Sequence, residues 1–219
     1  MQATDKAYPQ WCMAALLALC VAFPWVHPFS WGPNPDMMQR FFTAAASAGF
    51  LFVWAMGGRW LSLHQLVRTV AVAWLVAALL SSIMALLQYF GAVEGWKSEW
   101  IIRTTAGNAF ANLRQRNQFA SLTSIGLLSL LFIAQWPAKR DLYPAHRLRQ
   151  WLIAAAVLLL AAGNAASSSR TGAVQWLLIA GLALIWETHG QRPLLRWSVL
   201  ALGLSTALNA PIEDVKFGV

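Results

Sequence analysis

Charge is what this chain has least of. Only 11% of its 219 residues are Asp, Glu, Lys or Arg, and the eight acids are outnumbered by sixteen bases. Soluble domains carry about 25% charged residues, so the deficit excludes an ordinary water-soluble fold. Cysteine is also scarce. Cys12 and Cys20 share one apolar run, which says nothing of the redox compartment and offers no metal-ligand spacing. Nor is a cleavable leader expected: Lys6 is a thin positive flank, and Leu19 is too large for the position before a lipoprotein cysteine. The first apolar run is therefore expected to remain. No internal repeat, low-complexity tract or soluble domain stands out.

What is abundant is hydrophobicity, 58% of residues with mean hydropathy +0.53, together with thirteen tryptophans. Many of these, among them Trp11, Trp60, Trp100, Trp136 and Trp151, lie near the ends of apolar runs, as interfacial anchors do. The formal charge is +8 and the pI about 10.3, yet the basic residues are scattered over short loops. Membrane topology and anionic lipid head groups account for that distribution. Nucleic acid is excluded as a partner for want of a folded soluble surface.

The fold expected is all-α, a polytopic transmembrane bundle forming a single domain over residues 1–219. Runs long enough to cross about 30 Å of hydrocarbon fall at roughly 10–27, 38–57, 69–90, 118–136, 150–166, 172–187 and 194–211, about seven spans. The fifth and sixth are separated by a short polar turn alone, so a tight helical hairpin is expected there. Nine of the loop bases fall on one face (Lys6, Arg59, Arg68, Lys139, Arg140, Arg147, Arg149, Arg192 and Arg196). Seven fall on the other (Arg40, Lys97, Arg103, Arg114, Arg116, Arg170 and Lys216). Four of those seven lie in or just before two polar clusters, and discounting them makes the nine-residue face cytoplasmic, with the N-terminus inside.

The clusters are Asn112-Leu113-Arg114-Gln115-Arg116-Asn117-Gln118 and Ser167-Ser168-Ser169-Arg170-Thr171-Gly172. Arginines and amides at the mouth of a span are costly unless something anionic meets them. Two spans separate the clusters, so both open on one face whatever the orientation, and each precedes a helix N-terminus with its unsatisfied N–H groups and partial positive charge. Together with Arg103, Arg114, Arg116 and Arg170 they describe an anion receptor at the membrane surface.

Blander readings exist. Arg114 and Arg116 could snorkel to lipid phosphates, though neighbouring amides gain nothing by it. Asn117 is a plausible N-cap of the fourth span. Arg170 could be a counter-charge in a helix break whose serines cap the sixth span, with Gly163, Ala165, Ala166 and Gly172 allowing close helix approach. Glu94 and Glu99, five residues apart, fit an interfacial turn better than a metal site. His27, in the Pro-rich segment Pro24–Pro28, is expected to be irregular and outward-facing.

Gly107 through Leu122, with Asn112-Leu113-Arg114-Gln115-Arg116-Asn117-Gln118 at its centre, resembles the signature of bacterial protein O-oligosaccharyltransferases, the pilin-glycosylating relatives of lipopolysaccharide O-antigen ligases. Asn164 through Gly172 looks like the second arginine motif of that superfamily, and Phe23–Pro28 like its first outer loop. The resemblance implies an inner-membrane enzyme with a periplasmic site. It moves a preassembled glycan from undecaprenyl diphosphate to Ser or Thr hydroxyls of an exported acceptor protein, without metal or other cofactor. Carried onto this chain, it implies Arg116 and Arg170 as catalytic residues, with Arg103, Arg114, Asn117 and Gln118 contacting the lipid diphosphate. Family members continue into a periplasmic loop with a histidine and into further spans, whereas no histidine follows His189 here. The chain is accordingly expected to be the N-terminal part of such an enzyme and inactive alone. Two other expectations remain open: an O-antigen ligase or polymerase using the same donor, and a transporter or flippase fragment for lipid-linked glycans.

Overall fold

A computed structural model describes residues 7–27, 35–57, 61–95, 100–113, 115–135, 143–187, 201 and 203. Among them the chain forms six helices and no strand: α1 (Ala7–Val26), α2 (Pro35–Gly57), α3 (Leu63–Tyr89), α4 (Arg116–Ala134), α5 (Tyr143–Ala166) and α6 (Arg170–Glu187). Helices are what an apolar solvent demands, because each satisfies its own backbone N–H and C=O groups. Among the described residues four segments are long and apolar enough to cross a membrane: Arg40–Gly57, Leu63–Tyr89, Arg116–Ala134 and Arg147–Ala166; Gln10–Val26 is a shorter apolar stretch. The seventh expected span, 194–211, lies outside the described residues apart from Ala201 and Gly203.

Local chemistry sets the boundaries where they differ from the apolar runs. α3 starts at Leu63, a turn and a half before the expected 69, because Ser62 and Gln65 form a capping box. The Ser62 hydroxyl accepts from the Gln65 N–H, and the Gln65 side chain accepts from the Ser62 N–H, satisfying two donors that a helix start leaves open. α5 and α6 are joined by Ser167–Ser169 alone, the tight hairpin expected from the sequence.

α3 is the hub, packing against α1, α4 and α5; α4 also meets α5 and α6, and α2 lies against α1. The closeness comes from small side chains. Ala71, Ala73, Ala77, Ala78, Ser81, Ser82 and Ala85 form the buried stripe of α3, so the backbones approach where lipid provides no hydrophobic drive. A Cβ on Gly126 would fall 2.4 Å from that of Ala78, and one on Gly163 2.6 Å from the Ser82 hydroxyl. Leu122, Leu127 and Leu130 of α4 and Val157 and Leu160 of α5 fill the core around this stripe. α4 is the most enclosed of the four spans and α2 the least, at 56% and 6% of their residues buried, so α4 is the element whose ends the rest of the bundle can control.

α1 is helical through Pro24 to Val26, which corrects the expectation for His27. Rather than facing outward in an irregular segment, His27 directly follows the helix, is 2% exposed, and lies 4.6 Å from the Phe42 ring and 5.7 Å from that of Phe23, centroid to centroid. The aromatic neighbours on α1 and α2 draw it inward.

Candidate functional site

Successive antiparallel helices place the end of α3, the start of α4 and the α5–α6 turn on one face. The structure joins the two polar clusters there directly: the Ser169 hydroxyl donates to Asn117 Oδ1 at 2.8 Å. The same hydroxyl accepts from the Gly172 N–H at 3.4 Å, so Ser169 both caps α6 and ties it to α4. Gly172 makes this approach feasible. A Cβ there would lie 2.3 Å from Asn164 Oδ1 and 2.8 Å from the Ala120 Cβ.

Each helix opens on an arginine. Arg116 is the first residue of α4 and Arg170 the first of α6, and both side chains are exposed. The residue before α4, Gln115, makes no side-chain capping bond, and neither helix has an acid in its first turn. Two partial positive charges from helix ends and two guanidinium groups therefore share a small surface. Like charges in that arrangement repel, and an anion relieves both repulsions at once.

Asn117 does not cap α4, contrary to expectation. The cap position is Gln115, in extended conformation, and Asn117 is the second helical residue, too far along to accept from the first turn. Its amide instead receives Ser169. Gln118 is half-buried beside Phe119, and Arg103 is exposed in the α3–α4 connection. Arg114 lies outside the described residues, as does Glu99.

The connection itself is fixed by buried amides. Asn112, counted with the site amides from sequence, is 2% exposed and holds the loop to α1. Its Nδ2 donates to the carbonyls of Val26 (3.1 Å) and Trp100 (2.9 Å), while Oδ1 accepts from the Ile102 N–H (3.2 Å). Glu94 accepts from the Ala106 N–H at 2.8 Å and the Gly107 N–H bonds the Tyr89 carbonyl at 2.9 Å, which closes the loop back onto the end of α3. Gln88, a residue without a sequence signal of its own, is wholly buried among these bonds. The guanidinium of Arg116 donates to Asn108 Oδ1, and Asn108 Nδ2 donates to the Thr105 hydroxyl at 2.8 Å. The loop thus presents one site arginine.

Below the surface a polar seam joins α4 to its neighbours. The Thr123 hydroxyl donates to the Ala120 carbonyl (2.7 Å) and lies 3.2 Å from Asn164 Oδ1. Gln175 of α6 reaches the hydroxyls of Ser121 (3.0 Å) and Ser124 (2.9 Å). These groups satisfy one another, which makes the seam glue between helices rather than a receptor. Among the described residues no three His, Cys, Asp or Glu side chains gather as a metal ion would require.

Residues 109–133 match the family described as protein glycosylation ligase. The match takes in the last seven residues of the loop and nearly all of α4, with Arg114, Arg116, Asn117 and Gln118, and it agrees with the resemblance carried by Gly107–Leu122. It supports a glycosylation ligase function in general terms. No curated protein and no solved structure matches the chain significantly.

Proposed function

We propose that this chain carries the diphosphate-binding part of a membrane protein O-oligosaccharyltransferase. Such an enzyme transfers a preassembled glycan from undecaprenyl diphosphate to Ser or Thr hydroxyls of exported proteins, at the periplasmic face of the inner membrane. The observation that carries the reading is the Ser169–Asn117 hydrogen bond, which sets two arginine-led helix starts without acids side by side.

The chemistry follows from charge. As an acceptor hydroxyl oxygen bonds to the anomeric carbon, the hydroxyl proton passes to solvent, the bond from that carbon to the diphosphate oxygen breaks, and the bonding pair leaves with the lipid diphosphate. Negative charge grows on that oxygen. Arg116 and Arg170, held at neighbouring helix N-termini, are arranged before the reaction to meet it. Arginine's planar fork suits paired phosphate oxygens. Asn117, Gln118, Arg103 and Arg114 supply secondary contacts to the lipid diphosphate.

Transport of lipid-linked glycan is the less supported reading. It calls for broken helices with polar groups lining a passage at mid-membrane. Here α4 and α6 run unbroken, and the polar seam between them is closed by its own hydrogen bonds. Ligation to lipopolysaccharide uses the same donor and the same arginines, and the match to protein glycosylation ligases favours a protein acceptor.

The test is transfer of glycan to an exported acceptor by the full-length protein with Arg116→Ala or Arg170→Ala. Each loss is expected to lower the rate on the order of 10²–10³-fold. Wild-type transfer by both variants would overturn the assignment. Altered lipopolysaccharide mobility with unaltered pilin in a deletion strain would move the acceptor to lipid.

A further inference from the structure

Gln88 lies one residue before the end of α3, in an otherwise apolar stretch, and its side chain is wholly buried. Every polar valence of its amide is used on the α3–α4 loop. Nε2 donates to the carbonyls of Ile102 (2.9 Å) and Ala111 (2.8 Å). Oε1 accepts from the N–H groups of Phe110 (3.1 Å) and Ala111 (2.8 Å). Two of the four bonds thus clasp the N–H and C=O of one residue, and that residue has φ of 53°. L side chains rarely adopt this left-handed backbone, and it persists where the surroundings over-determine it. Ala111 has no glycine's freedom to excuse it; the Gln88 amide is what holds it.

Ala111 is where the chain turns from the loop toward α4. Asn112, the next residue, anchors to α1, and Asn108, three residues earlier, receives the Arg116 guanidinium. A continuous set of bonds therefore runs from the buried end of α3 to the exposed site arginine: Gln88 to Ala111 and Phe110, along the backbone to Asn108, and across to Arg116. We infer that Gln88 is a positioning residue for Arg116, fixing from within the bundle the aim of a guanidinium it does not touch. The inference rests on the diphosphate reading above for what Arg116 does, and on the hydrogen bonds alone for how it is held.

Arg116 acts on charge that develops as the donor bond breaks, so misplacing it lowers kcat more than it raises KM. In full-length protein in membranes, Gln88→Leu removes all four bonds at similar volume, and Gln88→Glu replaces the two donors with a buried acceptor oxygen facing the Ile102 and Ala111 carbonyls. Both are expected to lower kcat by on the order of tenfold to a hundredfold, with the donor KM within about twofold. Adding Ala111→Gly to Gln88→Leu is expected to recover part of the loss, because glycine adopts positive φ without a clasp. Combining Gln88→Leu with Arg116→Ala is expected to cost no more than Arg116→Ala alone, since both act through one group.

A second readout does not depend on activity. With Cys12 and Cys20 replaced by alanine, a cysteine substituted at the buried loop residue Ile101 is protected from maleimide, and Gln88→Leu exposes it. Exposure together with undiminished kcat overturns the positioning role, as does a full multiplicative loss in the double variant. An unchanged labelling rate together with unchanged kcat overturns it as well. If wild-type protein transfers glycan and Arg116→Ala does not, yet Gln88→Leu is fully active, this inference alone fails. If Arg116→Ala is also fully active, the diphosphate reading fails with it.

Discussion

The two ends of α4 are built to opposite rules. At its C-terminus Arg149 of α5 donates to the carbonyls of Ala134 (2.9 Å) and Ile133 (3.4 Å), a cation where the helix dipole is negative. At its N-terminus stands another arginine, Arg116, with no capping side chain and no acid in the first turn. α6 likewise opens on an arginine, Arg170, with no acid in its first turn, although Ser169 caps it, while the start of α3, on the face with Arg149, is closed by a capping box. One face satisfies its helix termini from within the chain; the other sets cations where the dipole is already positive. Consistency between local rules is what a sequence needs to fold, and departures gather at functional sites. The contrast marks this face as the candidate site without any appeal to family.

Charge reversal gives the largest expected effect. Arg116→Glu places an acid at the start of α4, where it is favourable, so stability is expected to rise by about 0.3–1 kcal/mol. Glycan transfer is expected to fall at least 10²-fold. Thermal unfolding in detergent and an acceptor-glycosylation assay report the two separately. A variant both less stable and fully active would erase the distinction between the faces.

Disturbed packing beneath the site comes next in size. Gly172→Ala drives a methyl group to 2.3 Å from Asn164 Oδ1 and 2.8 Å from the Ala120 Cβ, wedging α6 from α4 and α5. A loss of about 1–3 kcal/mol is expected, with transfer falling as the Ser169–Asn117 bond lengthens. Gly181→Ala is the control further along the same helix. Among the described residues nothing lies within 4 Å of its added methyl, and a gain of up to about 1 kcal/mol is expected from helix propensity.

The sequence made the helices legible because apolar run length is a one-dimensional signal, and counting spans was enough to set Arg116 and Arg170 on one face. It did not reveal which amides serve the site and which serve the fold. Asn112 and Asn117 sit in the same cluster, yet one is buried against α1 and the other bridges to Ser169. Gln88 reads in sequence as a single polar residue tolerated near the end of a span. Its partners are 14 to 23 residues away, and only the folded loop brings them within reach. A hydrogen bond's second partner is tertiary information. The same holds for His27, whose burial depends on Phe42 of a different helix.

At the opposite face, Arg149→Ala removes two charge-assisted bonds to the end of α4. A stability loss of about 1 kcal/mol is expected, with transfer by the full-length protein unaltered. Equal damage to activity from Arg149→Ala and Arg116→Ala would mean that both arginines matter through helix stability alone, and the functional reading of the α4 start would lose its basis.

The smallest effect tests whether capping is what separates the faces. Ser62→Ala deletes the hydroxyl that accepts from the Gln65 N–H at 3.2 Å, and Gln65→Ala deletes the oxygen that accepts from the Ser62 N–H at 2.9 Å. Each loss leaves one donor at the start of α3 to water, and both residues are exposed. Roughly 0.5–1 kcal/mol is expected from Ser62→Ala, with the double variant costing less than the sum because the box is reciprocal. Placing a serine before α4 by Gln115→Ser reverses the experiment. If the start of α4 is open only for want of a cap, a comparable gain in stability follows and transfer is unaffected. If its N–H groups serve an anion, the new hydroxyl competes for them, and transfer falls as stability rises.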